Sequence, residues 1–404
     1  LPFWVDKKYL NDLIYNSLIK DFNLTLAEKC NTVEISPESS SVSVKEIVDD
    51  KSFSKQFNQS IIIEPKTYDY KLVENVTDEE YTRLSEHLEY LKNLPQPEQR
   101  SNEWYEYRNN MLTASDLYNG IAKHGKTRLS VIYGKCGVKR NISGGASCLH
   151  GVRYEDVAIA IYEKRNKCKV EDYGCIQHPE LNIFGASPDG ICEDLKNGTD
   201  DFIARMVEIK CPPKRKFTKS VPEHYWMQMQ GQLEVCDLDE CDFLQVKIEE
   251  YENYEEYLND RFEIDGILQD GRTSKNFPKG VVATYKNNDN LVYDYCPLNK
   301  SNDDLQKWIN YRKENDIDEN KKAENLFETK FWKIERYECT LVTRDYQWWN
   351  SMIGDILKFS KDLEYYKKDD NVNILKKRIE ESKKRKKREE PKPLDNFLLL
   401  NDDD

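Results

Sequence analysis

Two acidic residues and a lysine stand on strand-like segments at a spacing that suits metal-assisted hydrolysis. In residues 207–210, apolar side chains alternate with Glu208 and Lys210, which is the period of a strand, so both charged groups share one face. Asp189 lies a hairpin's length earlier, in a Pro-Asp-Gly sequence at the start of a second apparent strand. Two carboxylates offer the hard oxygen ligands that Mg²⁺ prefers, and a neighbouring lysine can orient the attacking water. Each segment alone also fits an exposed charged pair or an ordinary turn.

A third acid, Glu155, lies within an apolar helical stripe. Its neighbours on that stripe are Val152, Ala158, Ile159 and Tyr162. A carboxylate there is costly to bury unless something pairs with it. Two interpretations stay open: an acid satisfied by arginine or a backbone group, or a metal ligand or supporting acid that faces Asp189 and Glu208.

Three glutamines follow in the segment 225–233, which predicts a core helix because Trp226, Met229 and Leu233 share one face. Gln228 and Gln232 are four residues apart on another face, and Gln230 lies between the two faces. Neutral amides suit the positioning of water or of backbone phosphates, although such residues are more often simple surface groups.

Arg108 and Ser115 are candidates for binding an anion. The pattern predicts Ser115 as a helix N-cap with Asp116 in the first turn, and a helix N-terminus attracts anions. The guanidinium of Arg108 matches the shape of a phosphate. Capping accounts for Ser115 without any ligand, but it does not account for Arg108.

Basic residues cluster at two further places. Lys214, Arg215, Lys216 and Lys219 directly follow the Glu208 strand and could draw a DNA backbone towards it, or form a solvated loop. The run Lys383–Arg388 fits a nuclear address, a nonspecific DNA contact or a disordered solubilising segment, of which we favour disorder. A zinc site at Cys136, Cys148 and His150 is disfavoured because the spacing matches no common zinc pattern.

Composition limits the class of protein. The chain has 404 residues and a net charge of −13, which argues against nucleic acid only if the basic groups are evenly spread. No run of about 18 apolar residues predicts a membrane span, and the first residues lack the pattern of a signal peptide. Eleven cysteines without a CxxC pair suit a reducing, intracellular compartment.

The pattern along the chain predicts three regions. Residues 1–94 form an accessory region of unknown role and end in a proline-containing linker at 93–97. Residues 98–367 form the main domain, with an insertion of loops near 250–330 and a final strand and helix at 335–343 and 344–366. Residues 368–404 form a charged tail that is expected to be disordered.

In order and spacing, these motifs resemble the lambda exonuclease and YqaJ-like viral recombinase family of PD-(D/E)xK nucleases. The resemblance covers about residues 98 to 367, and its motifs are Trp104, Arg108 and Thr113-Ala114-Ser115, then Gly151-x-x-Tyr154-Glu155, Ser187-Pro188-Asp189-Gly190, Glu208-x-Lys210-Cys211-Pro212 and Tyr225-x-x-Gln228-x-Gln230. The resemblance implies an α/β (α+β) fold with a restriction-endonuclease-like core, in which helices flank a mixed central β-sheet.

The resemblance also implies roles for individual residues. Metal ligands are expected to be Asp189, Glu208, the Ile209 backbone carbonyl and Glu155, with one or two Mg²⁺ ions for which Mn²⁺ can substitute. Lys210 is the expected catalytic lysine, and Gln230 is expected to assist near the nucleophile. Arg108 and Ser115 match a pocket for a DNA 5′-phosphate, and Gln228 is expected to contact the DNA backbone.

The function that follows is a 5′-to-3′ exonuclease acting on double-stranded DNA ends in viral recombination, repair or genome processing. An endonuclease and a non-catalytic DNA-end-binding protein are the alternatives. The resemblance further implies a single-strand annealing protein as partner, a homo-oligomer that is a trimer in the family, and a host cytoplasmic viral factory or the nucleus as location. The added terminal regions and the insertion put the ring-shaped trimer in question.

Overall fold

A computed structural model describes residues 76–99, 101–121, 126–137, 146–193, 202–214, 217, 220–287, 290–314, 326–368 and 371–389. The helices of this part of the chain are α1 (Asp78–Lys92), α2 (Asn102–Asn109), α3 (Leu117–Gly120), α4 (Lys126–Lys135), α5 (Ala146–Asn166), α6 (Glu223–Cys236), α7 (Tyr254–Asn259), α8 (Asn302–Glu314), α9 (Tyr346–Lys367) and α10 (Asn371–Glu389). The strands are β1 (Leu112–Thr113), β2 (Lys169–Glu171), β3 (Ile176–Gln177), β4 (Phe184–Ala186), β5 (Gly190–Glu193), β6 (Met206–Lys210), β7 (Glu240–Glu250), β8 (Phe262–Ile264), β9 (Ile267–Gln269), β10 (Lys279–Asn287), β11 (Asn290–Tyr295) and β12 (Leu326–Thr343). None of the described helices is both long and apolar enough to cross a membrane.

A mixed seven-stranded sheet forms the centre of the fold, in the order β11-β10-β12-β7-β6-β5-β2. Strand β6 pairs antiparallel with β5 and parallel with β7. The parallel pair requires a crossover, and α6 supplies it between the two strands. A smaller sheet, β1-β4-β3, lies beside this centre. The predicted fold class, an α/β protein with a mixed sheet flanked by helices, is confirmed.

Helix α5 packs on one face of the sheet because its apolar residues recur at helical spacing. Its buried side chains share a core cluster with the strands, among them Tyr154, Val157, Ala158, Ile161 and Tyr162 from α5 and Val207, Ile209, Leu244, Val246 and Ile248 from β6 and β7. Since strand side chains alternate between faces, Val207 and Ile209 point to α5. Glu208 therefore points to the other face, where α6 lies.

The segment before residue 98 packs against this domain. Leu88 and Leu91 of α1 are 4 % and 1 % exposed. His87 Nε2 lies 2.8 Å from the Cys236 carbonyl oxygen, and Lys92 forms an ion pair with Glu193 at 2.6 Å. The described part of the expected accessory region and linker is thus attached to the main domain, and residues 1–75 lie outside the described residues.

The expected insertion near 250–330 is not a set of loops. Strands β10 and β11 extend the central sheet beyond β12, and helices α7 and α8 cover them. The run Val281, Val282 and Ala283 is buried throughout, as in strands covered on both faces. This apolar run is short and lies in an acidic, tyrosine-rich stretch, which is why the sequence pattern suggested loops.

The C-terminal elements match the sequence in part. The predicted last strand is the end of β12, and the predicted helix is α9, whose stripe of Trp348, Ile353, Ile356 and Leu363 is buried. Asp345 caps α9 by accepting a hydrogen bond from the Trp348 amide at 2.9 Å. The disordered tail expected from 368 differs from the structure, which has a helix, α10, with Leu375 fully buried.

Helix α6 approaches its neighbours closely at Gly231. A Cβ built there would lie 2.9 Å from the ring of Phe184 and 3.2 Å from the Cβ of Ala114. Phe184 is fully buried and packs edge-on against Trp349, so the ring has no room to move aside. Gly354, in contrast, is an exposed helical glycine of α9 whose added Cβ would meet no atom within 4 Å.

We expect Gly231→Ala to destabilise the protein by about 1–3 kcal/mol, because overpacking outweighs the gain in helix propensity. The matched change Gly354→Ala should stabilise it by roughly 0.5–1 kcal/mol, since it gains propensity without a clash. Urea unfolding followed by circular dichroism measures both. Equal effects of the two changes would contradict the close approach of α6 to Phe184.

Candidate active site

Glu208 is a fully buried carboxylate on the α6 face of β6. Gln228 donates from Nε2 to Oε1 at 2.8 Å, and Gln232 donates from Nε2 to Oε2 at 2.7 Å. Their spacing of four residues places both amides on one side of α6. Neutral donors hold the carboxylate in one orientation without cancelling its charge, so the acid stays available to a cation.

Asp189 stands beside Glu208 because β5 and β6 pair next to it. The pairing starts at Gly190 opposite Val207. Asp189, one residue before β5, accepts a hydrogen bond at Oδ2 from the Ile209 backbone amide at 2.7 Å. Its side chain is 21 % exposed, so this acid borders solvent while Glu208 does not.

Three oxygen atoms from these residues converge on the ammonium group of Lys210. Nζ contacts Glu208 Oε1, lies 3.0 Å from the Ile209 carbonyl oxygen and 3.7 Å from Asp189 Oδ2. The three expected metal ligands of β5 and β6 therefore already surround one cation. Two carboxylates and a carbonyl form the hard donor set that suits Mg²⁺ or Mn²⁺, so the residues present fit such an ion.

The electrostatics of this group favour a further positive charge. Burial and the neighbouring Asp189 charge raise the pKa of Glu208 to about 7, against the opposing effects of Lys210 and Gln232. Burial lowers the pKa of Lys210, but the Glu208 and Asp189 carboxylates outweigh it and hold that pKa above its usual value. When Glu208 is ionised, two carboxylates face one ammonium and leave an excess of negative charge.

Glu155 lies on α5, against the opposite face of the sheet from Glu208. Burial mainly, and then the Glu155 charge, raise the pKa of the Cys211 thiol, so this acid lies near the end of β6. No group of three or more His, Cys, Asp or Glu side chains is placed to hold a metal anywhere in the described residues. The structure therefore brings Asp189 and Glu208 together without Glu155, whose role as a ligand stays a prediction.

Gln230 contacts backbone rather than the acidic pair. Its Nε2 donates to the Thr343 carbonyl at 2.8 Å, and its Oε1 accepts from the Asp345 amide at 2.6 Å. These bonds fasten α6 to the junction between β12 and α9. The residues beside Glu208 are Gln228, which was expected to contact the DNA backbone, and Gln232, which the expected site omitted. The assisting role of Gln230 near the nucleophile stays a prediction.

Arg108 forms a pocket with three hydroxyl groups close to the acids. Its Nη1 lies 3.1 Å from Ser187 Oγ, and its Nη2 lies 2.9 Å from Ser115 Oγ and 3.4 Å from Thr113 Oγ1. The guanidinium stacks on the Trp104 ring at 4.2 Å, and Trp104 also donates to Ser187. Ser187 is two residues from Asp189, so the pocket adjoins the acidic pair. The sequence motifs contain Trp104 and Thr113, whereas the contact of Arg108 with Ser187 depends on the fold and could not be predicted from the motifs.

Asp116, which accepts a hydrogen bond from Thr113 of this pocket, has its own charged partner. Asp116 pairs with Lys135 at 3.0 Å, and Lys135, which is 6 % exposed, also donates to the Arg108 carbonyl oxygen. Burial lowers the pKa of Lys135, while Asp116 opposes that shift. The hydroxyl contacts of Arg108 are neutral, so its positive charge is directed at a pocket that suits an anion.

Ser115 is not the helix N-cap that the sequence predicts. It lies inside a 3₁₀ turn, Ala114–Asp116, and neither this turn nor α3 has a side-chain cap. The helix that follows has four residues, so the expected anion site at a helix N-terminus is wrong. Ser115 reaches the pocket through its exposed hydroxyl instead.

The basic groups lie partly outside the described residues. Lys214 is exposed just beyond β6, while Arg215, Lys216 and Lys219 are outside the described residues. The run Lys383–Arg388 belongs to α10, but its side chains are not described. Their contact with DNA stays a prediction.

Comparison with known proteins identifies one family. Residues 103–239 match the model of the YqaJ-like viral recombinase domain, a range that contains Arg108, Asp189, Glu208 and Lys210. The chain is 29% identical over 391 residues to the uncharacterized protein R354 of Acanthamoeba polyphaga mimivirus, covering 87% of this chain and 70% of that protein.

Two solved structures show a looser similarity. An alkaline exonuclease (LHK-Exo) from Laribacter hongkongensis has a TM-score of 0.37 at 18% identity and covers 70% of this chain and 100% of its own. A phage related exonuclease from Haemophilus somnus 129PT has a TM-score of 0.35 at 13% identity and covers 66% and 96%. The resemblance predicted from the motifs is confirmed over residues 103–239 by the domain match.

Proposed function

We propose that this chain, whose residues 103–239 form a YqaJ-like viral recombinase domain, is a divalent-metal-dependent DNA exonuclease. The observation that carries the proposal is the convergence of Glu208, Asp189 and the Ile209 carbonyl on the single cation of Lys210. A protein that had lost its activity and bound DNA ends without cutting them would have no reason to maintain this costly buried arrangement.

In phosphodiester hydrolysis, the residues of the site would have different roles. Asp189, Glu208 and the Ile209 carbonyl would hold one Mg²⁺ or Mn²⁺ ion. When bound, this ion supplies Lewis acidity to the scissile phosphate and to the attacking water. Lys210, 22 % exposed, offers N–H donors and positive charge to that water and to the phosphate oxygens. Gln228 and Gln232 keep Glu208 in place throughout.

The Arg108 pocket supports a defined polarity. A guanidinium that stacks on Trp104 and bonds to neutral hydroxyls is preorganised for a terminal phosphate, which offers more negative charge than an internal one. The pocket adjoins Asp189 through Ser187. We therefore propose that it binds the 5′-phosphate of a duplex end and that digestion runs 5′ to 3′.

The biological setting follows from the family and from the viral relative. We propose a role in viral DNA recombination, repair or genome processing, with a single-strand annealing protein as the acceptor of the resected strand. Glu155, on α5 near the end of β6, would support a second metal ion if two are used. A trimeric assembly and a viral factory or nuclear location belong to the same proposal.

The exonuclease activity is tested on three DNA substrates with Mg²⁺: 5′-phosphorylated linear duplex, 5′-hydroxyl linear duplex and covalently closed circular duplex. We expect release of acid-soluble nucleotides from the linear duplexes alone, because the site needs a DNA end. Lys210→Gln should lower the rate at least about 100-fold, since it removes a charge that stabilises the transition state.

Lys330→Gln is the matched control for this experiment. Lys330 is also a strand lysine with two acidic partners, Glu250 and Glu328, but it lies on β12, opposite Val282 of the α5-face cluster. The control should keep the rate of the unaltered chain, and thermal melts should show that both variants fold. Cutting of the closed circle would instead identify an endonuclease, and no metal-dependent release from any substrate would refute the proposal.

The 5′-phosphate pocket is tested with Arg108→Lys. This change keeps the charge but removes the paired N–H donors, so we expect the preference for 5′-phosphate over 5′-hydroxyl ends to fall by roughly tenfold or more. The measurement is kcat/KM on the two linear duplexes. Arg128→Lys serves as control, because Arg128 of α4 pairs with Asp362 of α9 and not with the pocket hydroxyls. This control should leave the preference unchanged. An unaltered preference in the Arg108 variant would show that other residues bind the 5′-phosphate.

A further inference from the structure

Three aromatic rings form a row that ends at the catalytic lysine. The rings of Tyr118 and His224 lie 6.0 Å apart, and those of His224 and Tyr225 lie 4.0 Å apart. Lys210 Nζ is 5.3 Å from the centre of the Tyr225 ring. At its other end, Tyr118 stands three residues after Ser115, whose hydroxyl contacts Arg108. The row, Tyr118-His224-Tyr225, therefore runs from the helical turn after Ser115 to Lys210.

Tyr118 and His224, at the outer end of this row, are not part of the buried core. Tyr118 is 40% exposed and His224 is also exposed, whereas the next residue pair on α6, Trp226 and Met227, is buried. Trp226 packs against Trp348 at 4.8 Å, so the core contact at this end of α6 is already made. Scattered aromatic groups on a surface need no explanation, but adjoining rings at the rim of a site suggest a ligand with a flat face.

We propose that Tyr118 and His224 form a stacking surface for a base of the DNA strand held between the Arg108 pocket and the acidic pair. This inference rests on the proposed function. In the proposed function, the Arg108 pocket and the acidic pair bind only the phosphates of the strand. The base, which is flat and weakly polar, is then still without a binding surface. Every base has a π-face, so stacking grips the strand without reading its sequence. Such a grip suits an enzyme that must digest any DNA end.

The same rings could instead dock a protein, and the two occupants differ in what they recognise. A surface that stacks on a base contacts one particular nucleotide. The base of that nucleotide can be removed from the DNA without changing any phosphate. A protein partner would be indifferent to a missing base. The test therefore removes the base and the rings separately and together.

The experiment measures KM and kcat on 5′-phosphorylated duplexes that carry a tetrahydrofuran abasic residue at the first, second or third position of the digested strand. In the unaltered chain, we expect KM to rise about tenfold for at least one position, as loss of a stacked base does elsewhere. Tyr118→Ala with His224→Ala should raise KM similarly on normal DNA, with little further rise on abasic DNA. Tyr118→Phe with His224→Phe should restore the values of the unaltered chain, because the rings remain.

Tyr311→Ala is the control, since Tyr311 is 56% exposed on α8, outside the row. It should leave KM unchanged for every substrate. Additive effects of base removal and ring removal would overturn the proposal, because independent groups add and stacked partners do not. An unchanged KM in the double alanine variant would also overturn it, and loss of binding to an annealing protein in that case would assign the rings to a protein contact. If the unaltered chain released no nucleotides from any duplex, the proposed function itself would fail, and this inference with it.

Discussion

A carboxylate buried at the centre of a sheet is the constraint on which the rest of the structure depends. Glu208 has no exposure to water, so its charge must be stabilised by groups that the fold places around it. Lys210 provides opposite charge from the same strand face, and two glutamines provide donors from α6. Asp189 adds a second negative charge that makes this stabilisation incomplete. The incomplete balance is what makes a divalent cation a favourable addition.

The orientation of α6 follows from the same constraint. Gln228 and Gln232 reach Glu208 only if α6 keeps one orientation about its own axis. Gln230, which lies between them in the sequence, holds this orientation through its hydrogen bonds to the backbone of Thr343 and Asp345. One turn later, Glu234 forms a buried ion pair with Arg344 at 2.7 Å. The junction between β12 and α9 thus holds α6 in place, although it lies more than 100 residues after the site residues in the sequence. Gly231 allows the close contact that brings α6 to the turn carrying Ser115.

The chemistry of the site could be predicted from the sequence because its parts are local. Strand alternation placed Glu208 and Lys210 on one face, and a hairpin length brought Asp189 beside them. The motif residues then pointed to the family. The packing partners could not be predicted, since they depend on which side of α6 meets the sheet. The resemblance assigned the assisting role to Gln230, whereas the fold places Gln228 and Gln232 beside Glu208.

Other differences have similarly physical origins. Ser115 followed by Asp116 has the composition of a helix start, but the residues continue as a 3₁₀ turn and a single helical turn. The strand β10 was missed because burial on both faces removes the alternation that marks a strand. Each of these errors concerns a tertiary contact that overrides a local preference.

The most direct measurement of the central claim is an anomalous difference map from crystals soaked in Mn²⁺. We expect a peak within about 2.0–2.6 Å of oxygen atoms from Asp189, Glu208 and the Ile209 carbonyl. A map with no peak at these oxygens, at Mn²⁺ concentrations that support DNA digestion, would show that they do not bind the catalytic metal.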